Sequence, residues 1–224
     1  MTSPAPPSRP PFFEAVAGRY DRAYALPTAE SRRRMERVLA ALPPAPLRVL
    51  DLGVGTGREL TALLDAGLSP VGVDASPAML ARCERRARPV PLVLADFWEP
   101  PLPFDEASFD AAIALHGTLA HPPDAAALQA LARELARLVR KGGVFVGEVP
   151  HPGWLDTLGD GDLGDRRIRR TGPRSCVCED LVARASIEAR LFDADEWTAA
   201  FGAGWQTRVE SLGALEWFVV ARRV

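Results

Sequence analysis

Residues 49–57, with the sequence VLDLGVGTG, constrain the fold more than any other segment of this chain. A short apolar run is followed by glycines at alternate positions, Gly53, Gly55 and Gly57, and then by helical spacing over residues 58–66. Glycine has no Cβ, so the backbone there can turn sharply and come close to a ligand. A strand, a glycine turn and a helix N-terminus with free N–H groups predict a cradle for a carboxylate or a phosphate.

Strand-like and helical segments alternate through the first two thirds of the chain. Short apolar runs predict strands at residues 47–52, 70–73, 91–95, 109–115 and 144–149. Helical spacing predicts helices at residues 28–42 with Thr28 as N-cap, at 76–88 with Ser76 as N-cap, and at 124–139 before Gly142 and Gly143. This alternation is typical of a mostly parallel sheet that helices cover on both faces.

The remaining segments complete one α/β domain, and we expect no second domain. Residues 193–201 predict a helix, and residues 206–211 and 216–222 predict a final pair of strands joined through Gly213. Residues 1–11 contain five prolines and predict a disordered tail, whereas residues 12–44 predict a helical cap. Residues 150–192 predict a lid, in which 151–175 form a long loop rich in Gly, Asp and Arg and 176–192 contain strand.

The charge balance weighs against nucleic acid or an anionic membrane as a partner. The chain has 27 basic and 29 acidic residues, so no overall positive field surrounds it. The five arginines within residues 166–174 follow several aspartates, which predicts a self-neutralising surface. No apolar stretch of about 18 residues and no signal peptide are recognisable.

The cysteines imply neither a disulfide framework nor a metal site. The chain has three of them, and Cys176 and Cys178 form a CxC pair without the second pair that a zinc site needs. Both thiols would lie on one face of a strand, so we interpret them as packing residues. Sparse, unpaired cysteines are typical of a reducing compartment, so we expect a cytoplasmic protein.

Three carboxylates follow successive predicted strands. Asp51 ends the first strand, Asp74 the second and Asp96 the third, where Phe97 comes next. The carboxyl ends of parallel strands are where open α/β sheets bind ligands. A carboxylate at Asp74 can accept hydrogen bonds from a ribose diol, and one at Asp96 can accept from an adenine amino group while Phe97 covers the ring.

A dinucleotide-binding fingerprint is not satisfied by this glycine loop. The pattern GxGxxG requires glycine where this chain has Arg58, or Leu60 in the alternative frame. A nicotinamide-dependent oxidoreductase therefore remains only an alternative.

At this point the chain resembles the class I S-adenosylmethionine (SAM)-dependent methyltransferases. The resemblance rests on five segments, namely VLDLGVGTG at 49–57, VGVDASPAML at 71–80, LADF at 94–97, FDAAIAL at 109–115 and RLVRKGGVFVGEV at 137–149. It implies a Rossmann-like, doubly wound sheet of seven strands, mostly parallel, with an antiparallel strand seven inserted between strands five and six.

The resemblance also implies a set of SAM contacts. Asp51, Gly53, Gly55 and Gly57 would surround the methionine part, and the carbonyl of Leu115 would lie near its amine. Asp74 would hold the ribose, Ala75 and Met79 would lie beside the adenosine, and Asp96 and Phe97 would contact the adenine. Tyr20, in the cap, is expected to contact the cofactor or to pack against neighbouring aromatic rings.

SAM carries its own leaving group, so the protein needs mainly to align a nucleophile and exclude water. His116 and His151 follow the fourth and fifth strands and are the candidate catalytic residues, as bases or as groups that orient the acceptor. Hydrogen bonding to loop backbone is the structural alternative for both. His121 is interpreted as a loop residue, and Trp154 and Leu155 as a wall of the acceptor pocket.

The sequence predicts transfer of a methyl group from SAM to an O, N or C nucleophile of a small molecule, with S-adenosylhomocysteine (SAH) as the product. A protein that binds SAM or SAH without catalysis is a further alternative. Either a monomer or a homodimer is compatible with the sequence.

Overall fold

The computed structural model describes residues 11–25, 27–45, 47–86, 88–124, 126–212 and 215–224. Residues 1–10 of the predicted tail, and Gly213 in the predicted final turn, lie outside these ranges. Pro11, the last residue of that tail, instead begins the first helix. Proline is tolerated at a first helical position because its fixed φ suits the helix.

The helices and strands follow one another in an order that matches the predicted alternation as far as residue 150. In chain order they are Pro11–Val16 (α1), Tyr20–Ala23 (α2), Thr28–Ala41 (α3), Arg48–Leu52 (β1), Leu60–Asp65 (α4), Ser69–Asp74 (β2), Pro77–Arg86 (α5), Leu92–Leu94 (β3), Phe109–Ala114 (β4), Ala127–Leu138 (α6), Val139–Pro150 (β5), Gly153–Leu158 (α7), Gly161–Leu163 (β6), Arg166–Gly172 (β7), Ser175–Asp180 (β8), Ala185–Arg190 (β9), Ala194–Phe201 (α8), Trp205–Leu212 (β10) and Glu216–Arg223 (β11).

The main sheet has seven strands in the order β10–β11–β5–β4–β1–β2–β3. Strand β11 pairs antiparallel with both β5 and β10, while the five strands β1 to β5 pair parallel with one another. The predicted α/β fold with an inserted antiparallel strand is therefore confirmed. Asp51 on β1 lies level with Gly72 of β2 and Ile113 of β4, so it stands near the carboxyl edge of the sheet.

Apolar side chains on both faces of this sheet form the core. On one face, Leu50 and Leu52 pack with helix α6 through residues such as Leu131. On the other, Val49 and Ile113 pack with helices α3 to α5. Burial on two faces explains why the central strands are almost continuously apolar.

Two details of the elements differ from the prediction, and one agrees with it. Pro27, rather than Thr28, precedes helix α3, and Thr28 is its first residue. Ser76 does cap α5, since its Oγ accepts a hydrogen bond from the backbone N–H of Met79 at 3.1 Å. Strand β5 begins at Val139, so Gly142 and Gly143 lie inside an irregular stretch of that strand rather than between helix and strand.

The prediction of a long loop at 151–175 is wrong. Helix α7 and strands β6 and β7 occupy most of it, and β6–β7–β8–β9 form a second, fully antiparallel sheet. Strand β7 reads RRIRRTG and buries only Ile168, so it lacks the apolar alternation that predicts a strand. Hairpin pairing and side-chain ion pairs hold it instead.

The inner face of this small sheet packs on the core and on the N-terminal helices. Ile168, Cys176 and Ala189 contact Leu155 of α7, whereas Ile187 packs against α1. The five arginines of 166–174 all have partners: Arg167 pairs with Asp162, Arg169 with Glu179, Arg170 with Asp156 and Arg174 with Asp193, and Arg166 lies over the ring of Tyr24.

Within the ranges that the structure describes, no helix is long and apolar enough to cross a membrane. In those same ranges no group of three or more His, Cys, Asp or Glu side chains is arranged to hold a metal ion.

Candidate cofactor cleft

A narrow cleft separates the glycine loop from the N-terminal helices at the carboxyl edge of the main sheet. Its lining residues are Tyr20, Asp51, Gly53, Val54, Gly55, Thr56, Arg58, Glu59, Leu115, His116 and Thr118. Six of the predicted site residues thus meet here, together with Arg58 and Glu59. The cleft has a volume of only about 30 Å³.

The three glycines of the loop have different reasons to be glycine. All have positive φ, at +67° for Gly53, +55° for Gly55 and +74° for Gly57. A Cβ on Gly53 would lie 2.4 Å from Thr118 and one on Gly57 would lie 2.6 Å from Cys83, so these two permit close packing. A Cβ on Gly55 would meet nothing within 3.8 Å, because this glycine borders the open cleft.

Helix α4 begins at Leu60, later than the predicted start at Arg58. Arg58 and Glu59 therefore stand in a turn, and both line the cleft. Arg58 donates hydrogen bonds to Asp21 at 3.1 Å and to the carbonyl of Tyr24 at 2.8 Å. Neither residue is among the predicted site residues, because helical spacing places both of them on a helix.

Asp51 presents a buried carboxylate with an open acceptor. The residue is 4% exposed, and its Oδ2 has no hydrogen-bond partner among the described residues. Burial, followed by the nearby charges of Glu59 and Asp74, raises its pKa well above the usual value. A cationic donor such as an ammonium group would satisfy this oxygen and favour the ionised form.

Asp74 joins the glycine loop to the end of strand β2. Its carboxylate accepts hydrogen bonds from the backbone N–H groups of Gly55 at 2.8 Å and Ser76 at 2.9 Å. Burial raises the pKa of Asp74 to about 6, although these two hydrogen bonds act in the opposite direction. Each carboxylate oxygen retains a lone pair that can accept from a hydroxyl group.

The residues expected at the adenosine do not line the cleft. Met79 is 1% exposed and packs with Phe12 and Val16 of α1. Asp96 accepts a hydrogen bond from the N–H of Trp98 at 2.9 Å, and the buried ring of Phe97 lies 5.1 Å from that of Trp98. Ala75 is half-buried, and Gly57 is taken up in packing.

His116 is held through both ring nitrogens. Its Nδ1 lies 3.0 Å from Nη1 of Arg34, and its Nε2 contacts the carboxylate of Glu59. Arginine can only donate, so Nδ1 accepts, and Nε2 carries the hydrogen that Glu59 receives. His116 could take a proton from an acceptor only by giving up the contact with Arg34.

Arg34 is itself buried in a network of carboxylates. It is 5% exposed, lies 2.8 Å from Glu148, and donates to Glu216 at 3.0 Å. Burial raises the pKa of Glu148 to about 7, against the attraction of Arg34. This network ties α3 to strands β5 and β11 directly behind the cleft.

The other two histidines lie outside the cleft. Nδ1 of His151 accepts a hydrogen bond from the N–H of Gly153 at 2.8 Å, and its ring lies 4.1 Å from that of Trp217. His121 lies beside Phe13, with 5.8 Å between the ring centres, and bonds to the carbonyl of Glu188. Trp154 and Leu155 belong to the apolar contact under the small sheet.

Aromatic and ionic contacts hold the N-terminal helices over the cleft. The ring of Tyr20 stacks on Tyr24 with 4.9 Å between centres, and the guanidinium of Arg58 lies 4.9 Å from the Tyr20 ring centre. Burial raises the pKa of Tyr20. The N-terminal helices also contact the small sheet, because Arg19, between α1 and α2, pairs with Asp165 and Asp180.

A larger cavity, of about 480 Å³, lies at one end of the small sheet. Pro122, Pro123 and Asp124 line one side, and Arg174 and Arg190 line the other. None of the predicted site residues borders it, and both arginines pair with Glu196. The smaller cleft is therefore the candidate site.

The residues around the cleft fit the polar groups of SAM. Asp51 has an open acceptor for its ammonium, and Gly55 leaves space for its amino-acid part. Ligand pockets usually have volumes of roughly 300–1,000 Å³, which is much more than the volume of this cleft as it stands.

Comparison with known proteins supports this assignment. Residues 49–143 match the family model of a methyltransferase domain. A demethylmenaquinone methyltransferase of Beutenbergia cavernae is 36% identical over 146 residues, which is 64% of this chain and 58% of that protein. The match thus spans little more than half the length of that relative.

Two solved structures resemble nearly the whole chain. The sugar N-methyltransferase KedS8 from Streptoalloteichus has 25% identity and a TM-score of 0.72, covering 100% of this chain and 98% of that one. SAM-bound CalS10, an amino pentose methyltransferase from Micromonospora echinaspora, has 26% identity and a TM-score of 0.68, covering 91% and 96%. The glycine loop, the strand order and the open carboxylate at Asp51 agree with these comparisons: residues 49–143 match a methyltransferase domain, and the chain is similar in sequence and fold to SAM-dependent methyltransferases.

Proposed function

We propose that this protein transfers the methyl group of SAM to an amine of a small hydrophilic acceptor. The acceptor class is inferred from the share of this chain that each of the similar methyltransferases matches. The structure of the sugar N-methyltransferase superposes on the whole chain, including the small sheet, whereas the sequence match to the demethylmenaquinone methyltransferase spans 64% of the chain. The small sheet and α7 lie outside the segment matched to the methyltransferase family, so a relative that also covers them is the better guide to the acceptor.

The polarity of the cleft favours the same class. Glu59, His116 and Thr118 line it beside the glycine loop. These groups can hydrogen-bond to hydroxyl and amine groups of a sugar-like molecule. An acceptor with a long hydrocarbon tail would make no use of the acceptor capacity that remains on Glu59 and Thr118.

The cofactor supplies a methyl group on a sulfonium sulfur, which leaves as a thioether. In the proposed arrangement Asp51 accepts a hydrogen bond from the ammonium of the cofactor, and Asp74 accepts from the ribose hydroxyls. The carbonyl of Leu115 faces the same ammonium. Ala75, Asp96 and Phe97 border the adenine end, with Met79 beneath.

The N-terminal helices provide the cover. Tyr20 has to leave the cleft for the cofactor to enter and then close against it, which excludes water from the transfer site. Tyr20 contacts Arg58, which follows the glycine loop, and stacks on Tyr24, which in turn contacts Arg166 of the small sheet. We therefore propose residues 12–44 as the cap of the cofactor and 150–192 as the lid of the acceptor.

The chemical step needs little from the protein beyond alignment. A neutral amine nitrogen attacks the methyl carbon, the N–C bond forms as the C–S bond breaks, and the methylammonium product loses its proton to water. In this proposal His116 holds Glu59 in place rather than acting as the base, because both of its ring nitrogens are occupied. His151, bound to the backbone of α7, receives no role.

The test begins with calorimetric titration of the purified protein with SAM, SAH and NADH. Methyl transfer from labelled SAM is then followed with a panel of amino sugars and, separately, with a demethylated quinol. We expect micromolar binding of SAM and SAH, no binding of NADH, and transfer to an amine. The matched variant Asp51→Asn should lose SAM affinity while its melting temperature is retained.

Each other outcome points to a different function. Transfer to the quinol alone would contradict the amine proposal. Binding of SAM without transfer to any acceptor would favour a protein that only holds SAM or SAH. Binding of NADH alone would favour the nicotinamide-dependent alternative.

A further inference from the structure

We propose that Glu59, held in place by His116 and Arg34, makes this cleft prefer SAM over its product SAH. The proposal rests on the proposed function and concerns the cofactor end of the same site. Its basis is the charge difference between the two ligands. SAM carries a positive sulfonium that SAH lacks, while the ammonium and carboxylate are common to both.

Glu59 lies where its charge can act on a bound cofactor. Its side chain is 13% exposed and lines the cleft with Asp51 and Gly55. The open Oδ2 of Asp51 shows where a cationic group is expected. The charge of Glu59 contributes to the raised pKa of Asp51 and of Tyr20, as expected for a carboxylate within reach of both.

The position of Glu59 is fixed by a chain of donors. His116 donates to Glu59 through Nε2 because Arg34 occupies Nδ1 at 3.0 Å. Arg34 is held in turn by Glu148 and Glu216, at 2.8 Å and 3.0 Å. The positive charge of Arg34 is therefore matched by carboxylates outside the cleft, and it leaves the charge of Glu59 available on the cleft side.

The remaining charged groups that border the cleft increase the preference. Asp51 lines the cleft with Glu59, the charge of Asp74 behind the glycine loop also acts on Asp51, and Arg58 is paired with Asp21 at 3.1 Å. In a closed, poorly hydrated site the attraction between opposite charges acts over several ångströms, without direct contact. Removal of one carboxylate should therefore weaken the binding of SAM, which carries the extra positive charge, more than the binding of SAH. After transfer, loss of that charge would favour release of SAH.

The experiment compares the dissociation constants of SAM and SAH, measured by calorimetry, in the full-length protein and its Glu59→Gln variant. We expect the substitution to raise the dissociation constant of SAM about tenfold and that of SAH less than about threefold. Glu36→Gln, which removes the same charge from an exposed site on α3, should change neither.

Further variants separate charge from structure. Glu59→Asp retains the charge and should restore most of the preference. His116→Ala should reduce the preference, because Glu59 loses its donor, whereas His116→Gln, which can still donate, should retain more of it. If Glu59→Gln does not fold, the ratios for Glu59→Asp and for the two His116 variants decide the question.

The contrary results are distinct. Equal weakening of SAM and SAH by Glu59→Gln would place Glu59 at the amino-acid end or in a structural role, and would overturn the proposal. A Glu59→Gln variant in which neither dissociation constant changes would also overturn the proposal. If the unaltered protein binds neither ligand, the proposed function itself fails.

Discussion

Strand β4 of the seven-stranded sheet and strand β7 of the four-stranded sheet are of similar length but are held by different forces. Strand β4, FDAAIA, is buried at all but one position, whereas β7, RRIRRTG, buries only Ile168. The first depends on apolar packing on two faces, and the second on backbone pairing and exposed ion pairs. This difference separates an apolar platform, the main sheet whose carboxyl edge holds the candidate cleft, from a polar second sheet.

The largest effect is expected in the core of the platform. Leu131→Ala removes a side chain that is 2% exposed and packs under the main sheet, so it should cost about 2–5 kcal/mol of unfolding free energy. Ile168→Ala, under the small sheet, should cost less, because fewer buried groups surround it. Denaturant unfolding of both variants measures the difference. Equal losses would show that the small sheet is as firmly packed as the platform.

The next effect concerns the glycine loop. Gly55→Val should weaken SAM binding about a hundredfold or more, about 2.7 kcal/mol, because the added side chain enters the cleft. Gly159→Val is the matched control, since Gly159 also has positive φ, at +65°, but borders open space near the small sheet. Both variants should lose some stability from backbone strain. Normal SAM affinity in Gly55→Val would show that this loop is not the cofactor site.

A smaller effect should appear in the pH dependence of SAM binding. Burial raises the pKa of Asp74 to about 6, and a bound cation should lower it again by favouring the ionised carboxylate. Binding then releases a proton, so affinity should be constant above about pH 7 and fall as the pH is lowered through 6, by at most about tenfold per unit for this group. Titrations at several pH values test this, and Asp74→Asn should flatten the profile. An affinity that rises toward low pH would contradict the assignment.

The smallest effect is expected on the outer face of the small sheet. Arg169 pairs with Glu179 at 3.2 Å, and its side chain is 61% exposed. Arg169→Ala should change the unfolding free energy by about 0.5 kcal/mol or less and leave SAM affinity unchanged, because exposed ion pairs are weak and screened by salt. A loss of SAM affinity in this variant would indicate that the small sheet contacts the cofactor side.

The strands of the platform were predicted well from the sequence because the patterns that indicate them lie in neighbouring residues. The apolar runs at β1, β2 and β4, and the glycines that follow β1, depend on neighbouring residues and on a two-sided core. Asp51 and Gly55 were therefore placed at the cleft without a structure, and Leu115 was placed there by the family resemblance. Strand β7 was missed because its stability comes from pairing with β6 and β8 rather than from a pattern in its own residues.

What the sequence by itself determined is the alternation of strands and helices and the position of the glycine loop, since both follow from periodicity and from the conformational freedom of glycine, whereas the inserted antiparallel strand was expected only from the family resemblance. Only the tertiary structure decided that Arg34, Glu59 and His116, which are far apart in the chain, form one network behind that loop. It also decided that Tyr20 of the N-terminal helices lines the same cleft as the glycine loop. Such contacts depend on how α2, α3 and the ends of β1 and β4 meet in space, and no local pattern encodes that meeting.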